Sequence, residues 1–247
     1  MSFISSLLRL RNGVAKVAAG LTPFGESVWP GVRNDLFLAH ESIYRFFATF
    51  AAGRRVLDAG CGTGYGAFAL AQAGARTVHA VDIDRRSIAY GRRHYAHRAI
   101  EFSVANLDEV DVPIASLDLV VSSNCLEHLN DPSRFLVKMR DALVPGGQAV
   151  VAVPPITSPL LLEANRAIHF HRSNLTVDEW LATLGSAGWR DVAVVAHRYR
   201  ATPMPDFRLP TPSRLIADAF TFEPATRDSI YSNLPITVIF VLSKQPA

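Results

Sequence analysis

Short apolar runs alternate along most of the chain with longer stretches in which apolar positions recur at helical spacing. Runs that are apolar on both faces are typical of buried parallel strands, and the longer stretches suit helices that cover a sheet. We therefore predict an α/β fold with a doubly wound sheet and helices on both of its faces. The predicted strands are residues 55–59, 77–82, 100–104, 117–122, 148–153, 192–197 and 235–242.

Helix start signals support this alternation. Asp84, Asp131 and Thr176 are side chains of the type that caps a helix N-terminus, and Pro132 follows Asp131 at the first helical position. Thr176 with Glu179 has the spacing of a capping box. The predicted helices are residues 3–21, 35–51, 67–71, 85–97, 132–143 and 176–187.

Three segments lie outside this framework. Residues 3–21 are predicted to be a basic, loosely amphipathic helix, which suits either a packing role or binding to a membrane surface or a partner. Residues 155–175 are predicted to be a loop, and so are residues 199–231, which contain several prolines. Because long loops usually carry function, we expect 155–175 and 199–231 to cover the acceptor-binding site.

A glycine-rich turn is the main candidate for ligand binding. The run Asp58-Ala59-Gly60-Cys61-Gly62-Thr63-Gly64 follows a buried apolar strand and precedes a helix. Glycines allow the backbone to turn sharply and to approach a ligand closely. Asp82 ends the next strand 22 residues after Gly60, which is the spacing of a carboxylate that holds ribose hydroxyls.

Two cofactor types fit a turn of this kind. A nicotinamide fingerprint, G-x-G-x-x-G/A, can be read from Gly62 through Gly64 to Ala67. The pattern acid-x-G-x-G-x-G is satisfied by Asp58, Gly60, Gly62 and Gly64 without any shift. An NAD(P)-dependent oxidoreductase and a non-catalytic cofactor-binding protein therefore remain alternatives at this point.

The second pattern resembles motif I of the class I S-adenosylmethionine (SAM) methyltransferases. The strand 117–122 with the following Leu126-Glu127-His128, and the turn Pro145-Gly146-Gly147, resemble later motifs of that family in the right order. The resemblance runs from about His40 to the C-terminus. It implies a Rossmann-like sheet of seven strands, mostly parallel and with the last strand antiparallel, and an enzyme that uses SAM.

The resemblance also implies which residues bind the cofactor. Tyr44 matches a residue near the methionine end of SAM, although Ile43 stands where the family's sugar- and natural-product-modifying branch has Arg, and His40 is as well suited to packing. Asn106 stands where the family usually has Asp against the adenine. The predicted cofactor-binding residues are Tyr44, Asp58, Gly60, Gly62, Gly64, Asp82, Ile83, Asn106, Leu107 and Ser123.

We predict one methyltransferase domain over residues 1–247. Its parts are an N-terminal helical cap over 1–52, a SAM-binding core over 53–154, and an acceptor cover with the C-terminal strands over 155–247. The acceptor is predicted to be a hydroxyl of a sugar, glycan or natural product, as in the family branch to which the His40–Tyr44 region is similar. A homodimer is compatible with this organisation.

Glu127, His128 and His171 are the candidate catalytic residues. Methyl transfer to a hydroxyl needs a base or a metal that lowers the hydroxyl pKa, and histidine is the side chain that titrates near neutrality. Relatives with Glu-x-x-Glu-His after the fourth strand hold a divalent metal there, but Asn124 replaces the first Glu in this chain. The alternatives are therefore a histidine base, a site for Mg²⁺, Mn²⁺ or Zn²⁺, or a polar pair that only braces the fold.

Composition sets the remaining expectations. The chain has 247 residues, 49% of them hydrophobic and 19% charged, which is typical of an ordered globular protein. A net charge of +3 without a dense Lys/Arg block gives no indication of a nucleic-acid partner. Prolines and glycines interrupt the uncharged stretch 142–162, so no transmembrane segment is expected. Cys61 and Cys125 are expected to be neighbouring free thiols in a cytoplasmic protein.

Overall fold

The computed structural model describes residues 28–207 and 211–246. They contain one eight-stranded sheet with the strand order β3-β2-β1-β4-β5-β8-β6-β7. The strands are β1 Arg55–Ala59, β2 Thr77–Asp82, β3 Ile100–Val104, β4 Leu117–Ser123, β5 Leu143–Val153, β6 Asp191–Tyr199, β7 Phe220–Ala225 and β8 Thr237–Ser243.

Strand directions follow the predicted scheme. β1 to β5 are parallel to one another, so their carboxyl ends lie at the same edge of the sheet. β8 inserts antiparallel between β5 and β6, as the family resemblance implied for the last strand. β7 pairs antiparallel with β6 at the end of the sheet. The mostly parallel, Rossmann-like fold class is confirmed.

Seven α-helices connect and cover these strands within the described residues. They are α1 Asp35–Ala48, α2 Tyr65–Gln72, α3 Arg85–His94, α4 Pro132–Ala142, α5 Pro159–Arg166, α6 Val177–Ser186 and α7 Arg227–Ser232. Short 3₁₀ helices lie at Leu126–His128 and Ala217–Ala219. None of the helices in this part of the chain has the length and apolar character needed to span a membrane.

Two cores lie on opposite faces of the sheet. Val56 of β1 belongs to one core together with Phe47 of α1. Its neighbour Leu57 points to the other face and belongs to a second core that contains Trp180 of α6. Since successive residues of a strand alternate between faces, both faces of β1 are apolar, as a sheet with helices on both sides requires.

Helix starts agree with the predicted caps. The Asp84 and Asp131 side chains accept the backbone N–H groups of Arg86 and Arg134. Thr176 forms both hydrogen bonds of the capping box with Glu179. These bonds stabilise N–H groups that have no partner inside the helix.

The number of strands in the prediction was one too low, because β7 lies inside the segment 199–231 that was expected to be a loop. Pro224 interrupts the strand pattern there, yet a proline is tolerated in an edge strand, where one side needs no hydrogen bonds. The same segment contains α7, and the expected loop 155–175 contains α5, which starts at the Ser158 cap.

Several element ends also differ. β5 starts at Leu143 rather than at residue 148, because the expected turn at Pro145-Gly146-Gly147 is part of the strand. Gly146 adopts φ 77° within it. α3 ends at His94 rather than at 97, and α1 ends at Ala48 rather than at 51. The predicted helix 3–21 lies outside the described residues.

Candidate functional site

The glycine-rich turn lies at the carboxyl ends of β1 and β2. The Gly60 and Cys61 N–H groups donate to the Val81 carbonyl at 2.9 and 3.0 Å. The Gly62 N–H group donates to Oδ2 of Asp82 at 2.8 Å. The Asp82 carboxylate therefore helps to hold the turn against the end of β2.

Replacing Gly60 or Gly64 of this turn would strain the structure. Gly60 has φ 80°, and a Cβ atom there would overlap the Cys125 side chain. Gly64 has φ 89° and stands directly before the first residue of α2. The turn thus needs glycine both for its backbone conformation and for its close packing.

Asp58 is a buried carboxyl group under this turn. Its Oδ1 atom accepts the Tyr44 hydroxyl at 2.9 Å, and its Oδ2 atom has no hydrogen-bond partner among the described residues. Burial raises the pKa of Asp58 to about 7, partly against the Tyr44 hydrogen bond, which lowers it. The Tyr44 ring packs over Gly66, where a Cβ atom would overlap it.

Asp82 and Ile83 stand at the end of β2 as predicted. Oδ1 of Asp82 accepts the Asp84 N–H group at 2.9 Å. Burial raises the pKa of Asp82, while its two backbone hydrogen bonds oppose this shift. Ile83 exposes 68% of its surface, so an apolar side chain lies open beside the carboxylate.

The other predicted cofactor residues have different environments. Ser123 is buried at the end of β4, and its Oγ atom has no partner within the described part of the chain. The Asn106 side chain accepts the Asp108 N–H group at 3.1 Å and so closes a local turn. Leu107 is buried in the core that contains Trp180.

Glu127, His128 and His171 come together in the structure. The first two form the 3₁₀ turn after β4, and His171 follows α5. One ligand-type atom from each of the three lies within 4.8 Å of the others. The two imidazole ring centroids are 4.9 Å apart at an interplanar angle of 79°. This set of side chains is called the Glu-His-His cluster below.

Each histidine of the cluster uses Nδ1 for a hydrogen bond to an oxygen. Nδ1 of His128 lies 3.2 Å from the Phe170 carbonyl, and Nδ1 of His171 lies 2.8 Å from Oδ1 of Asn165. Since a carbonyl can only accept, Nδ1 of His128 donates in this bond, and the ring also has a hydrogen bond with the backbone of Asn124. In a neutral imidazole that donates through Nδ1, Nε2 is the nitrogen that can take up a proton or bind a cation.

Burial keeps both imidazoles neutral. It lowers the pKa of His128, against hydrogen bonds to backbone carbonyls and the nearby Asp82 charge. It lowers the pKa of His171 to about 3, with the His128 charge as a second cause. Neutral imidazole is the form that a general base or a metal ligand needs at neutral pH.

Some residues near this cluster were missed in the sequence analysis. Asn165 is buried and contacts His171, and its side-chain amide donates to Oδ1 of Asn174 at 2.6 Å. No sequence pattern indicates these contacts, because they depend on the path of the loop between α5 and α6. Asn124, which the sequence showed in place of the first Glu, adopts a left-handed conformation with φ 46° after β4, where asparagine is favoured over most residues.

His40 and His197 lie away from the cluster. His197 is fully buried, stacks on Phe222 with ring centroids 4.9 Å apart, and lies 2.9 Å from Oγ of Ser42. Burial lowers the pKa of His40 to about 4. This burial agrees with the packing role considered for His40.

A surface depression of about 410 Å³ lies at the other end of the sheet. It is lined by Gly53, Arg54, Arg76, Asp118 and residues 144–147. Asp118 stands near the amino end of β4 and binds Arg55 at 2.9 Å, so it belongs to a local ion pair. The depression is not part of the Glu-His-His cluster or of the glycine-rich turn.

The sequence of this chain is similar to those of known methyltransferases. Residues 56–147 match the family model described as "Methyltransferase domain". A Mycobacterium tuberculosis protein named "Probable S-adenosylmethionine-dependent methyltransferase" is 36% identical over 178 residues, which cover 71% of this chain and 64% of that protein. The chain carries a class I SAM-dependent methyltransferase domain. The family prediction is confirmed for this domain.

Other relatives of the methyltransferase domain have names that specify different acceptors. A tRNA U34 carboxymethyltransferase of Methylococcus capsulatus is 31% identical over 148 residues, covering 54% of this chain and 45% of that protein. A ubiquinone biosynthesis O-methyltransferase of Methylocella silvestris is 40% identical over 98 residues, covering 38% of each. The chain thus spans less than two thirds of each of these three relatives.

A solved structure supports the fold of the methyltransferase domain. A SAM-dependent methyltransferase from Archaeoglobus fulgidus aligns with a TM-score of 0.61 at 19% identity, covering 84% of this chain and 93% of that one. At this identity the match concerns the fold alone. It agrees with the mixed sheet described above.

SAM is the cofactor of the methyltransferase domain, as predicted. The residues present fit it, because Oδ2 of Asp58 and Oγ of Ser123 are buried without a partner among the described residues. SAM carries ammonium and hydroxyl groups that could satisfy such atoms. The family also argues against the nicotinamide alternative.

Proposed function

We propose that the protein transfers the methyl group of SAM to a hydroxyl of a sugar, glycan or natural-product acceptor. The observation that carries this proposal is the Glu-His-His cluster, which offers groups that can remove a proton. It follows β4, next to the end of the strand that carries Ser123, and the Asp82 charge acts on His128. The cluster therefore adjoins the proposed cofactor site.

The chain's own residues would supply alignment and proton transfer. SAM supplies the electrophilic methyl group. The glycine-rich turn and the Asp82 carboxylate would orient the cofactor, and the Nε2 atom of His128 or His171 would accept the hydroxyl proton as the acceptor oxygen attacks. Both imidazoles are held neutral by burial, so neither has to lose a proton first.

A divalent metal is the second route for the same reaction. One carboxylate and two imidazoles within 4.8 Å of one another form a plausible ligand set for Mn²⁺ or Zn²⁺, and less so for Mg²⁺, which prefers oxygen ligands. A cation held there would lower the pKa of the acceptor hydroxyl. With Asn124 in place of a second carboxylate, we expect the affinity for the cation to be modest.

The hydroxyl acceptor is supported by two further features. The ubiquinone relative is named an O-methyltransferase, which is a transfer to oxygen. Exposed apolar side chains, Ile83 and Phe170, flank the Asp82 and His128 positions and suit an acceptor with an apolar face. The tRNA relative makes a nucleic-acid acceptor the competing possibility to be tested.

The test is transfer of tritium from methyl-labelled SAM to a panel of acceptors. The panel contains a catechol, neutral oligosaccharides, bulk tRNA and a primary amine, each with enzyme and with heat-inactivated enzyme. Label in the catechol or oligosaccharide fraction supports the proposal. Label confined to tRNA or to the amine overturns the acceptor class. SAM binding without transfer to any of them would indicate a non-catalytic SAM-binding protein.

A further inference from the structure

Asn165, His171 and Asn174 form a closed set of hydrogen bonds. Nδ1 of His171 lies 2.8 Å from Oδ1 of Asn165. Nδ2 of Asn165 donates to Oδ1 of Asn174 at 2.6 Å. Nδ2 of Asn174 donates to the backbone carbonyl of His171 at 3.1 Å. The set begins and ends on the same residue, His171.

The backbone carbonyl determines the direction of every bond in this set. A carbonyl oxygen only accepts, so the Asn174 amide must turn its NH₂ group toward His171. Its oxygen then faces Asn165, which must donate with its own NH₂ group. Oδ1 of Asn165 is left to face the imidazole, and it can only accept. Nδ1 of His171 must therefore carry the proton, and Nε2 carries the lone pair.

Burial of Asn165 makes the loss of a hydrogen bond in this set costly. Asn165 exposes only 7% of its surface, so an unsatisfied amide there would cost free energy. Reversing one amide would place two donors or two acceptors face to face in this set. The alternatives to the observed direction thus break at least one partly buried hydrogen bond.

We propose that Asn165, oriented by Asn174, is a positioning residue that holds His171 in the Nδ1-protonated neutral tautomer. The lone pair of Nε2 is then available to the Glu-His-His cluster for a proton or a cation. Nδ1 of His128 lies near the Phe170 carbonyl in a comparable way. The catalytic consequence rests on the proposed function, whereas the tautomer itself does not.

The test of the tautomer is ¹⁵N NMR of the imidazole nitrogens in the SAM-free full chain at pH 7. The His171 signals are assigned by their loss in His171→Ala. We expect a protonated Nδ1 and an unprotonated Nε2 in the wild-type protein. Asn165→Leu, which keeps the volume but offers no acceptor, should yield averaged or reversed signals. Asn165→Asp loses the bond to Oδ1 of Asn174 but keeps an acceptor for Nδ1 of His171, so Nδ1 should again carry a proton.

The kinetic arm separates positioning from folding. Asn165→Leu should lower kcat about 10–100-fold, as is common for partners of functional histidines, while SAM affinity stays unchanged. Asn165→Asp should recover much of kcat. Asn233→Ala, at the exposed end of α7, is the control. If Asn165→Leu does not fold, Asn174→Ala takes its place, with a smaller change of the same signals expected.

Two results would overturn the inference. One is a wild-type His171 protonated at Nε2, and the other is an unchanged tautomer in a folded Asn165→Leu or Asn174→Ala protein. Full methyl transfer by His171→Ala would contradict the proposed function instead. In that case the NMR result on Asn165 would still stand, so the two failures are distinguishable.

Discussion

At the scale of single residues, Asp82 has two tasks. Its carboxylate accepts the Gly62 and Asp84 N–H groups, and it stands where ribose hydroxyls are expected. We predict that Asp82→Ala weakens binding of S-adenosylhomocysteine by at least about 1–3 kcal/mol, since buried hydrogen bonds are lost. Titration calorimetry measures this, with the exposed Asp218→Ala as control. Unchanged affinity in a folded Asp82→Ala protein would contradict the site assignment.

Asp58 predicts a pH dependence of stability. Its pKa is about 7 in the folded protein against an ordinary value of 3.8. Between these values the folded state holds a proton that the unfolded state has lost, so the contribution of Asp58 to stability falls as pH rises from about 4 through 7. Each unit of separation between the two pKa values is worth about 1.4 kcal/mol.

The measurement is urea unfolding of the SAM-free protein at pH 5 and pH 8. Wild-type protein should lose more stability over this interval than Asp58→Asn, which carries no titrating group at this site. The Asn side chain can still accept the Tyr44 hydroxyl. Equal losses in the two proteins would show that the Asp58 carboxyl is not held protonated by burial.

The residue types alone could predict much of the candidate site. The acid and glycines of the turn, Asp82, and the pair Glu127-His128 lie at strand ends, where chain order already places them. His171 could be added because it precedes α6. Asn165 and Asn174 could not be predicted, since their contacts depend on side-chain directions in a loop rather than on spacing.

At the scale of elements, two helical glycines form a matched pair. Gly66 lies in α2, where a Cβ atom would overlap the Tyr44 ring, and Gly185 lies in α6, where nothing is within 4 Å. Alanine is favoured over glycine in a helix by about 1 kcal/mol. We predict that Gly185→Ala stabilises the protein by about this amount and that Gly66→Ala destabilises it by about 1–3 kcal/mol through overpacking.

Thermal or urea unfolding of the two variants measures the difference. Opposite signs are expected because backbone propensity is the same in both helices and only the packing differs. A Gly66→Ala protein as stable as Gly185→Ala would show that α1 and α2 do not pack through Tyr44 as described.

The helices and strands were predicted correctly where the period of the hydrophobic residues and the capping residues indicated the same element. β1 to β3 have the predicted bounds, and α4 and α6 begin beside their predicted caps. β7 was missed because a short edge strand needs only one hydrogen-bonded side, so its sequence can contain Pro224. α5 was missed because the prolines around it indicated a loop, although one of them, Pro159, occupies the first helical position.

At the scale of the whole molecule, the two cysteines bear on the proposed cytoplasmic location. Both are free, and burial raises the pKa of each thiol, with Cys125 among the groups that raise that of Cys61. We predict that the native protein reacts slowly with Ellman's reagent and that two thiols react in guanidinium. A protein purified from reducing cytosol that has fewer than two thiols after unfolding would contradict this proposal.

The order of the strands brings the site together from distant parts of the chain. The glycine-rich turn, Asp82 and the Glu-His-His cluster all follow β1, β2 or β4 or lie in loops that return to these ends. The predicted division into a cap, a core and an acceptor cover stays a prediction. The proposed proton-accepting role of the Glu-His-His cluster can be tested directly.

That test is the rate of tritium transfer from methyl-labelled SAM to the acceptor selected from the panel, measured for His128→Ala and His171→Ala. We predict that each variant lowers kcat by about 10²–10⁴-fold while SAM affinity is unchanged, as for loss of a general base. His94→Ala on exposed α3 is the control. If a divalent metal takes part, a chelator should also abolish activity. Glu127→Ala should then lower kcat as the histidine variants do. Full activity in both histidine variants would show that neither imidazole accepts the proton.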